Sequence, residues 1–348
     1  MVDTEIVWQD REIKFDVRPS LLKCRKGEEV IDSINSVEDT KGNNGARGSL
    51  LVTNLRVIWM CHANHSINLS VGHNTIVSMN IRKAKSKLKG TTQALCVVAK
   101  FNARYEFIFT SLVKNSPRLF TTCQTVIRAY ETSSMYRELK LRGSILKDGE
   151  VMLLPLEKVF SRYDSVWNLS SDQGNLGTMY MTNVRVVWHA NLASNFNVSL
   201  PYIQIKNVVV RNSKFGKALV METLTRAGGY ILGFRIDPPE KLAMVSKELG
   251  SLFKAYRTNP IFGVEYTVEE ESPELRELMK PRIEEDVEIV EDVEDNHAVA
   301  TYYAEEEDEE NDGSGEEGRG HPVFDSRLGL AIERVPGDLT TASLWRVL

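Results

Sequence analysis

Gly48–Met60 reads GSLLVTNLRVIWM, and Gly177–His189 reads GTMYMTNVRVVWH, nearly the same words 129 residues later. A motif of the form Gly-x-x-x-x-Thr-Asn-x-Arg-Val-x-Trp written twice is either repeated chemistry or a repeated structural unit. The flanks favour the unit. Upstream, GEEVI (Gly27–Ile31) aligns with DGEVM (Asp148–Met152), and downstream INLSV (Ile67–Val71) aligns with FNVSL (Phe196–Leu200). Arg82 then falls opposite Arg211, Tyr105 opposite Tyr230, and Arg128 opposite Lys254. The offset drifts only between 121 and 129, which places small insertions in loops, and similarity sustained in this order is the mark of internal duplication.

Each copy reads as strands followed by one helix. Short apolar or alternating runs near 30–35, 48–53, 55–60, 66–71, 75–82, 93–100 and 104–110 predict seven strands in the first. Thr53-Asn54 is expected to form a hairpin corner, with Asn taking the positive φ such turns need. Val57 and Trp59, like Val186 and Trp188, alternate into the core, which directs Arg56 and Arg185 outward. A helix over 117–131 follows, with Ser116 as cap and Leu119, Phe120, Cys123, Val126, Ile127 and Tyr130 as its apolar stripe. Its counterpart over 238–257 has Asp237 as cap and Glu240 completing a capping box. Its stripe is Leu242, Val245, Leu249, Leu252, Phe253 and Tyr256. Such a stripe must be covered, and the open end of a small barrel is where it fits. The expected fold is mainly β with C-terminal helices: two tandem pleckstrin-homology-like seven-stranded barrels, each capped by a helix, plus an acidic disordered tail. The boundaries read as an extended segment 1–25, domains 26–132 and 145–258, an acidic linker 259–320 and a docking segment 321–348.

The net charge of −5 conceals a strong asymmetry. Glu265–Gly318 holds 23 acidic and three basic residues, whereas Met1–Val264 holds 36 basic and 22 acidic, a net of +14. A basic body points to an anionic partner. The absence of an N-terminal signal pattern and of a long apolar run points away from secretion and from a membrane span. Four scattered cysteines, with no Cys-x-x-Cys, suit reduced thiols rather than disulfides or zinc.

The order GE-V…G-L-x-x-T-N-x-R-V-x-W resembles the GRAM and GLUE branches of the pleckstrin-homology superfamily. Over its full length the chain resembles the BBSome subunits that carry two such domains, including VWQDREIKFDV (Val7–Val17) and the final GLAIERVPGDLTTASLWRVL. The resemblance implies a non-enzymatic adaptor of membrane traffic at the ciliary basal body, ciliary membrane and axoneme. It also implies phosphoinositide recognition, with docking onto other BBSome subunits, among them a β-propeller one. No cofactor or metal is implied.

The basic run RKAKSKLKG (Arg82–Gly90) is the sharpest local feature. Arg82, Lys83, Lys85, Lys87 and Lys89, on an expected flexible loop, can present several cations to a phosphorylated headgroup or an anionic bilayer. An acidic protein surface or a plain solvated loop fits the same residues. The second copy keeps a thinner set, Arg211, Lys214 and Lys217. Pleckstrin-homology lipid sites usually gather cations on the first hairpin, where only Lys41 and Arg47 occur here. Leu344, Trp345, Val347 and Leu348 are the candidate partner-docking residues, since an apolar end after a charged linker is a common docking peptide. Catalysis finds no footing. Cys123 and Arg128 are one residue too close for a phosphatase loop and lie on an expected helix, and no phosphate-cradling glycine loop is present.

Overall fold

The computed structural model describes residues 8–43, 45–114, 116–147, 149–170, 174–266, 322–325 and 330–333. In the first half, β1 (Ile13–Phe15), β2 (Val30–Asp39), β3 (Ala46–Thr53), β4 (Arg56–Cys61), β5 (Asn68–Gly72), β6 (Ile76–Ser86), β7 (Gly90–Phe101) and β8 (Ala103–Ser111) precede helix α1 (Arg118–Thr132). They form one antiparallel sheet in the order β1-β5-β4-β3-β2-β8-β7-β6. The second half contributes β9 (Lys140–Leu141) and a separate small ladder of β10 (Leu146–Lys147) and β11 (Glu150–Val151). It continues through β12 (Val159–Asn168), β13 (Asn175–Thr182), β14 (Arg185–Ala190), β15 (Asn197–Pro201), β16 (Ile205–Ser213), β17 (Gly216–Thr223), β18 (Ile231–Ile236) and α2 (Leu242–Thr258). Its sheet order, β9-β15-β14-β13-β12-β18-β17-β16, repeats the first. A further hairpin, β19 (Pro322–Asp325) with β20 (Leu330–Glu333), belongs to a separate compact unit.

The seven expected strands are present in each copy, and an eighth joins them. Phe15 pairs with Leu69 and Leu141 with Val198, so a short strand from the preceding segment extends each sheet at the same place. A buried asparagine fastens it. The Asn68 amide accepts the Val17 N–H and donates to the Val17 carbonyl, and Asn197 treats Gly143 identically. Duplication therefore extends to the strand that sequence similarity does not reveal.

Each letter of the repeated motif has a structural cause. Trp59 and Trp188 are buried and donate through Nε1 to the Val37 and Val166 carbonyls at 3.1 and 3.0 Å. Gly48 and Gly177 make room for them, since a Cβ there would stand 2.7 and 2.6 Å from the respective indole Cε2 atoms. The Thr53 hydroxyl accepts the N–H groups of Leu55 and Arg56, and Thr182 does the same for Val184 and Arg185. Asn54 accepts the Glu29 N–H and donates to the Gly27 carbonyl, closing the turn onto the chain before β2. Neither Asn54 nor Asn183 has positive φ; the amide is used as a clamp, not for backbone freedom.

The arginines of the motif do not point outward. Arg56 is 1% exposed and Arg185 0%. Arg56 grips Glu28 through Nε and Nη2 at 2.7 and 3.2 Å, and donates to Ser70 Oγ and the Leu22 carbonyl. Arg185 grips Glu157 with both distances at 2.9 Å, and donates to Ser199 Oγ and the Met152 carbonyl. The alternation rule failed because a carboxylate 28 residues upstream compensates the buried charge. That partner also corrects the upstream alignment. Gly27-Glu28 corresponds to Leu156-Glu157 rather than to Asp148-Gly149, and Leu156 adopts φ 61° where Gly27 adopts 84°.

Both helix stripes are covered as expected. Leu119, Cys123 and Val126 enter the first core, and Leu242, Val245 and Leu249 the second, with Leu252, Phe253 and Tyr256 packed beside them. The helix starts differ. α1 begins at Arg118 without a side-chain cap, and Arg118 reaches Asp32 instead. A 3-10 turn (Pro239–Lys241) precedes α2, and the Asp237 carboxylate takes Arg235. Pro238 and Pro239 have no N–H, so of the two donors a cap at Asp237 reaches only that of Glu240 is left.

A shared cluster joins the barrels. Trp8, Leu55, Tyr130, Ile203 and Phe262 pack together, drawing on the N-terminal segment, both barrels and the chain after α2. Buried Arg137 lies 3.7 Å over the Tyr130 ring and donates to the Phe262 carbonyl, while Tyr130 Oη donates to Asp10 at 2.7 Å. Gln204 of the second barrel donates to the Arg137 carbonyl.

Removing one member of the buried pair strands the other. Arg56→Met is expected to cost about 3–5 kcal/mol, read as a large drop in the urea midpoint, with Glu28→Met/Arg56→Met recovering much of it. Gly48→Ala should cost about 1–3 kcal/mol by overpacking against Trp59. Gly250→Ala, in α2 with nothing within 4 Å of the added carbon, should stabilise by about 0.5–1 kcal/mol in the same assay.

Candidate functional site

The basic run is not a loop. β6 and β7 pair from Ile76–Ala99 down to Ser86–Gly90, so Arg82, Lys83 and Lys85 stand on a strand and only Lys87 and Lys89 occupy the turn. The alternation Lys83-Ala84-Lys85-Ser86 is itself a strand pattern, which the density of charge obscures. Ala84 and Ser86 are buried, with Ala84 against Ala94 and Ile108, while Lys83 and Lys85 are exposed on the opposite face. Two strand positions apart, their Cα atoms lie about 7 Å from each other.

The hairpin tip is held in place. Ser86 Oγ accepts the N–H groups of Leu88 and Lys89 at 3.2 and 2.9 Å and donates to the buried Glu38 carboxylate. Glu38 Oε1 also accepts the Lys87 N–H at 3.0 Å. Gly45, at φ 72°, allows the β2–β3 turn to approach: a Cβ there would stand 3.0 Å from both Glu38 Oε1 and Lys87 Cβ. Asp39 shapes that turn by accepting the Gly42 N–H and the Asn43 amide. The fold thereby brings the basic hairpin against the first hairpin of the barrel, a juxtaposition that sequence distance hides. Glu38, Ser86 and Gly45 are the positioning residues that sequence reading missed.

The five cations do not form one set. Lys89 Nζ donates to the carbonyls of Ser111 and Val113 at 2.9 and 3.3 Å, which ties it to the end of β8. Arg82 is half-buried toward Glu106 and Cys96. Burial raises the Glu106 pKa, but the hydrogen bond and charge of Lys41, aided by Cys96 and Arg82, outweigh it and hold the carboxyl below its ordinary value. Lys41 is accordingly paired at 2.5 Å, and Arg47 of the first hairpin donates to Ser36 Oγ at 2.7 Å. Burial, then the charge of Glu106, pushes the Cys96 thiol up to about 12, so it stays protonated and donates to that carboxylate. Lys83, Lys85, Lys87 and Lys89 all have exposed side chains on the hairpin.

In the second barrel Arg211 is bound to Glu222, Lys214 Nζ lies 5.0 Å over the Phe215 ring, and Lys217 is exposed opposite Asn212. The position of Glu38 is taken by Trp167, beneath the Arg235 guanidinium at 5.1 Å. Ser213 bonds within its own hairpin. The expected docking residues Leu344, Trp345, Val347 and Leu348, and residues 267–320 of the expected linker 259–320, lie outside the described residues. Among the described residues no group of three or more His, Cys, Asp or Glu can hold a metal ion, and no helix is long and apolar enough to cross a membrane. Cys123 and Arg128 both lie on α1, and burial pushes the Cys123 thiol up to about 12.

Comparison with known proteins agrees with this geometry. Residues 28–132 match the Bardet-Biedl syndrome 5 protein N-terminal PH-like domain, and residues 140–266 match the second PH-like domain of the same protein. The chain is 51% identical to BBSome complex member BBS5 of Danio rerio, covering 99% of this chain and 98% of the relative. It is 50% identical to the Homo sapiens protein of that name, with the same coverage. It is 42% identical to BBSome complex member bbs-5 of Caenorhabditis elegans, again over 99% and 98%. With both barrels matched and the likeness running from end to end, the chain belongs to the Bardet-Biedl syndrome 5 protein family.

Proposed function

We propose that this chain is a non-enzymatic adaptor subunit of a BBSome-type coat in ciliary membrane traffic. Its first barrel meets phosphoinositide and other acidic lipid through the β6–β7 hairpin, while other surfaces dock onto partner subunits, a β-propeller subunit among them. The basal body, ciliary membrane and axoneme are its proposed locations. The observation that supports lipid contact most directly is the pair Lys83 and Lys85, exposed side by side on a strand whose other face is packed. A strand presents cations at fixed spacing, so little backbone freedom is lost on contact. Each such lysine near an anionic surface contributes about 1 kcal/mol, which is weak for a lone subunit and effective within an assembly held by several contacts.

A second reading, in which the barrels bind protein only, draws on the second copy. Two of its three hairpin cations, Arg211 and Lys214, are engaged, and Met152, Leu153, Leu156 and Phe160 are exposed apolar residues on the approach to and start of β12. Surface of that character suits a protein partner.

Flotation with phosphatidylserine and phosphoinositide vesicles separates the two. Lys83→Gln/Lys85→Gln is expected to lose about 2 kcal/mol, roughly thirtyfold in partitioning at low salt, with an unchanged melting midpoint. Binding equal to that of the parent chain removes the hairpin as the lipid site, and loss of subunit assembly instead favours the second reading.

A further inference from the structure

We propose that the apex of the β6–β7 hairpin enters the bilayer, with Leu88 as an apolar wedge between headgroups. The inference rests on the lipid reading above and adds a second, uncharged mode of contact to it. Leu88 is 56% exposed at the turn, directly between Lys87 and Lys89. Val113 is 49% exposed at the same corner, since Lys89 Nζ reaches the Val113 carbonyl. A single exposed leucine on a soluble protein needs no explanation. Here the leucine stands at the turn of the hairpin, has a lysine on each side in sequence, and has a second apolar residue near it. An apolar point flanked by cations matches the layered chemistry of an anionic bilayer, in which hydrocarbon lies beneath negative headgroups.

Two further features support it. The tip is braced by Glu38 and Ser86, so Leu88 is presented at a fixed place rather than on a mobile loop. The turn of the second barrel repeats the composition in shorter form, with Phe215 between Lys214 and Gly216-Lys217. The occupant committed to is the membrane; a protein groove is the alternative outcome.

The full chain carrying Cys24→Ser, which removes the exposed thiol and leaves the three buried ones, provides the background. Leu88→Cys in that background takes an environment-sensitive fluorophore, and vesicles of phosphatidylcholine with phosphatidylserine and a phosphoinositide carry nitroxide on the acyl chain. The expected result is a blue shift with strong quenching by the acyl nitroxide. Leu88→Ser should weaken partitioning about tenfold while keeping the parent's dependence on salt, because every cation remains. A parent chain that does not bind these vesicles overturns the lipid reading together with the wedge. A parent that binds while the label stays unquenched and Leu88→Ser partitions like the parent overturns the wedge alone. Leu88→Ser that keeps full vesicle binding but fails to assemble with partner subunits assigns the apex to protein and likewise overturns it.

Discussion

Arg56 and Glu28 meet inside the first barrel, and Arg185 and Glu157 meet at the same place in the second. Burying two opposite charges costs several kcal/mol of hydration per ion, and the attraction offsets this only when geometry and remaining donors are satisfied. Both arginines fulfil that condition with a two-pronged grip on carboxylate, a serine hydroxyl and a backbone carbonyl. The pair fixes four stretches of chain at once: the entry to the second strand, the Thr-Asn turn, the start of the next strand, and the strand that carries the serine. Once these are fixed, indole and glycine fall opposite each other and the core closes around the tryptophan. The motif spells this arrangement, which is why it occurs twice.

Much of this was legible from residue order. Trp59 and Trp188, the α1 and α2 stripes and the seven strands follow from apolar period, a local property. Arg56 was read the wrong way because alternation assigns a direction without knowing what waits inside, and Glu28 lies too far upstream to be seen as its partner. The shift between GEEVI and DGEVM concealed the same relation, since a glycine-glutamate word recurs close to the true position. The hairpin was misread for a different reason. Charge density suggested a loop, although Lys83-Ala84-Lys85-Ser86 alternates as a strand does. Glu38 and Gly45 had no local pattern to betray them, because their role comes from two hairpins meeting in space.

The copies diverged where structure demanded least. Cores, turn clamps and the asparagine that holds the extra strand are retained, and even His73 and Tyr202, unlike in chemistry, reach equivalent carbonyls, those of Thr53 and Thr182, each at 2.9 Å. The hairpins differ. One is braced by a buried carboxylate and keeps exposed lysines, whereas the other has tryptophan at the bracing position and an arginine tied to Glu222. This difference between the two hairpins is the asymmetry on which the proposed lipid contact of the first barrel rests.

The cluster around Arg137 bears on orientation. Tyr130, Asp10, Phe262 and Gln204 hold both barrels and the segments flanking them through bonds that are shielded from water. A linker of loose chain would let each barrel tumble separately, and contact by one would tell the other nothing about direction. With this joint, any contact that fixes the second barrel also fixes the tilt of the hairpin on the first, as a tripod head sets the aim of a lens. Alignment then becomes a property of the two barrels together, determined in the buried joint between them.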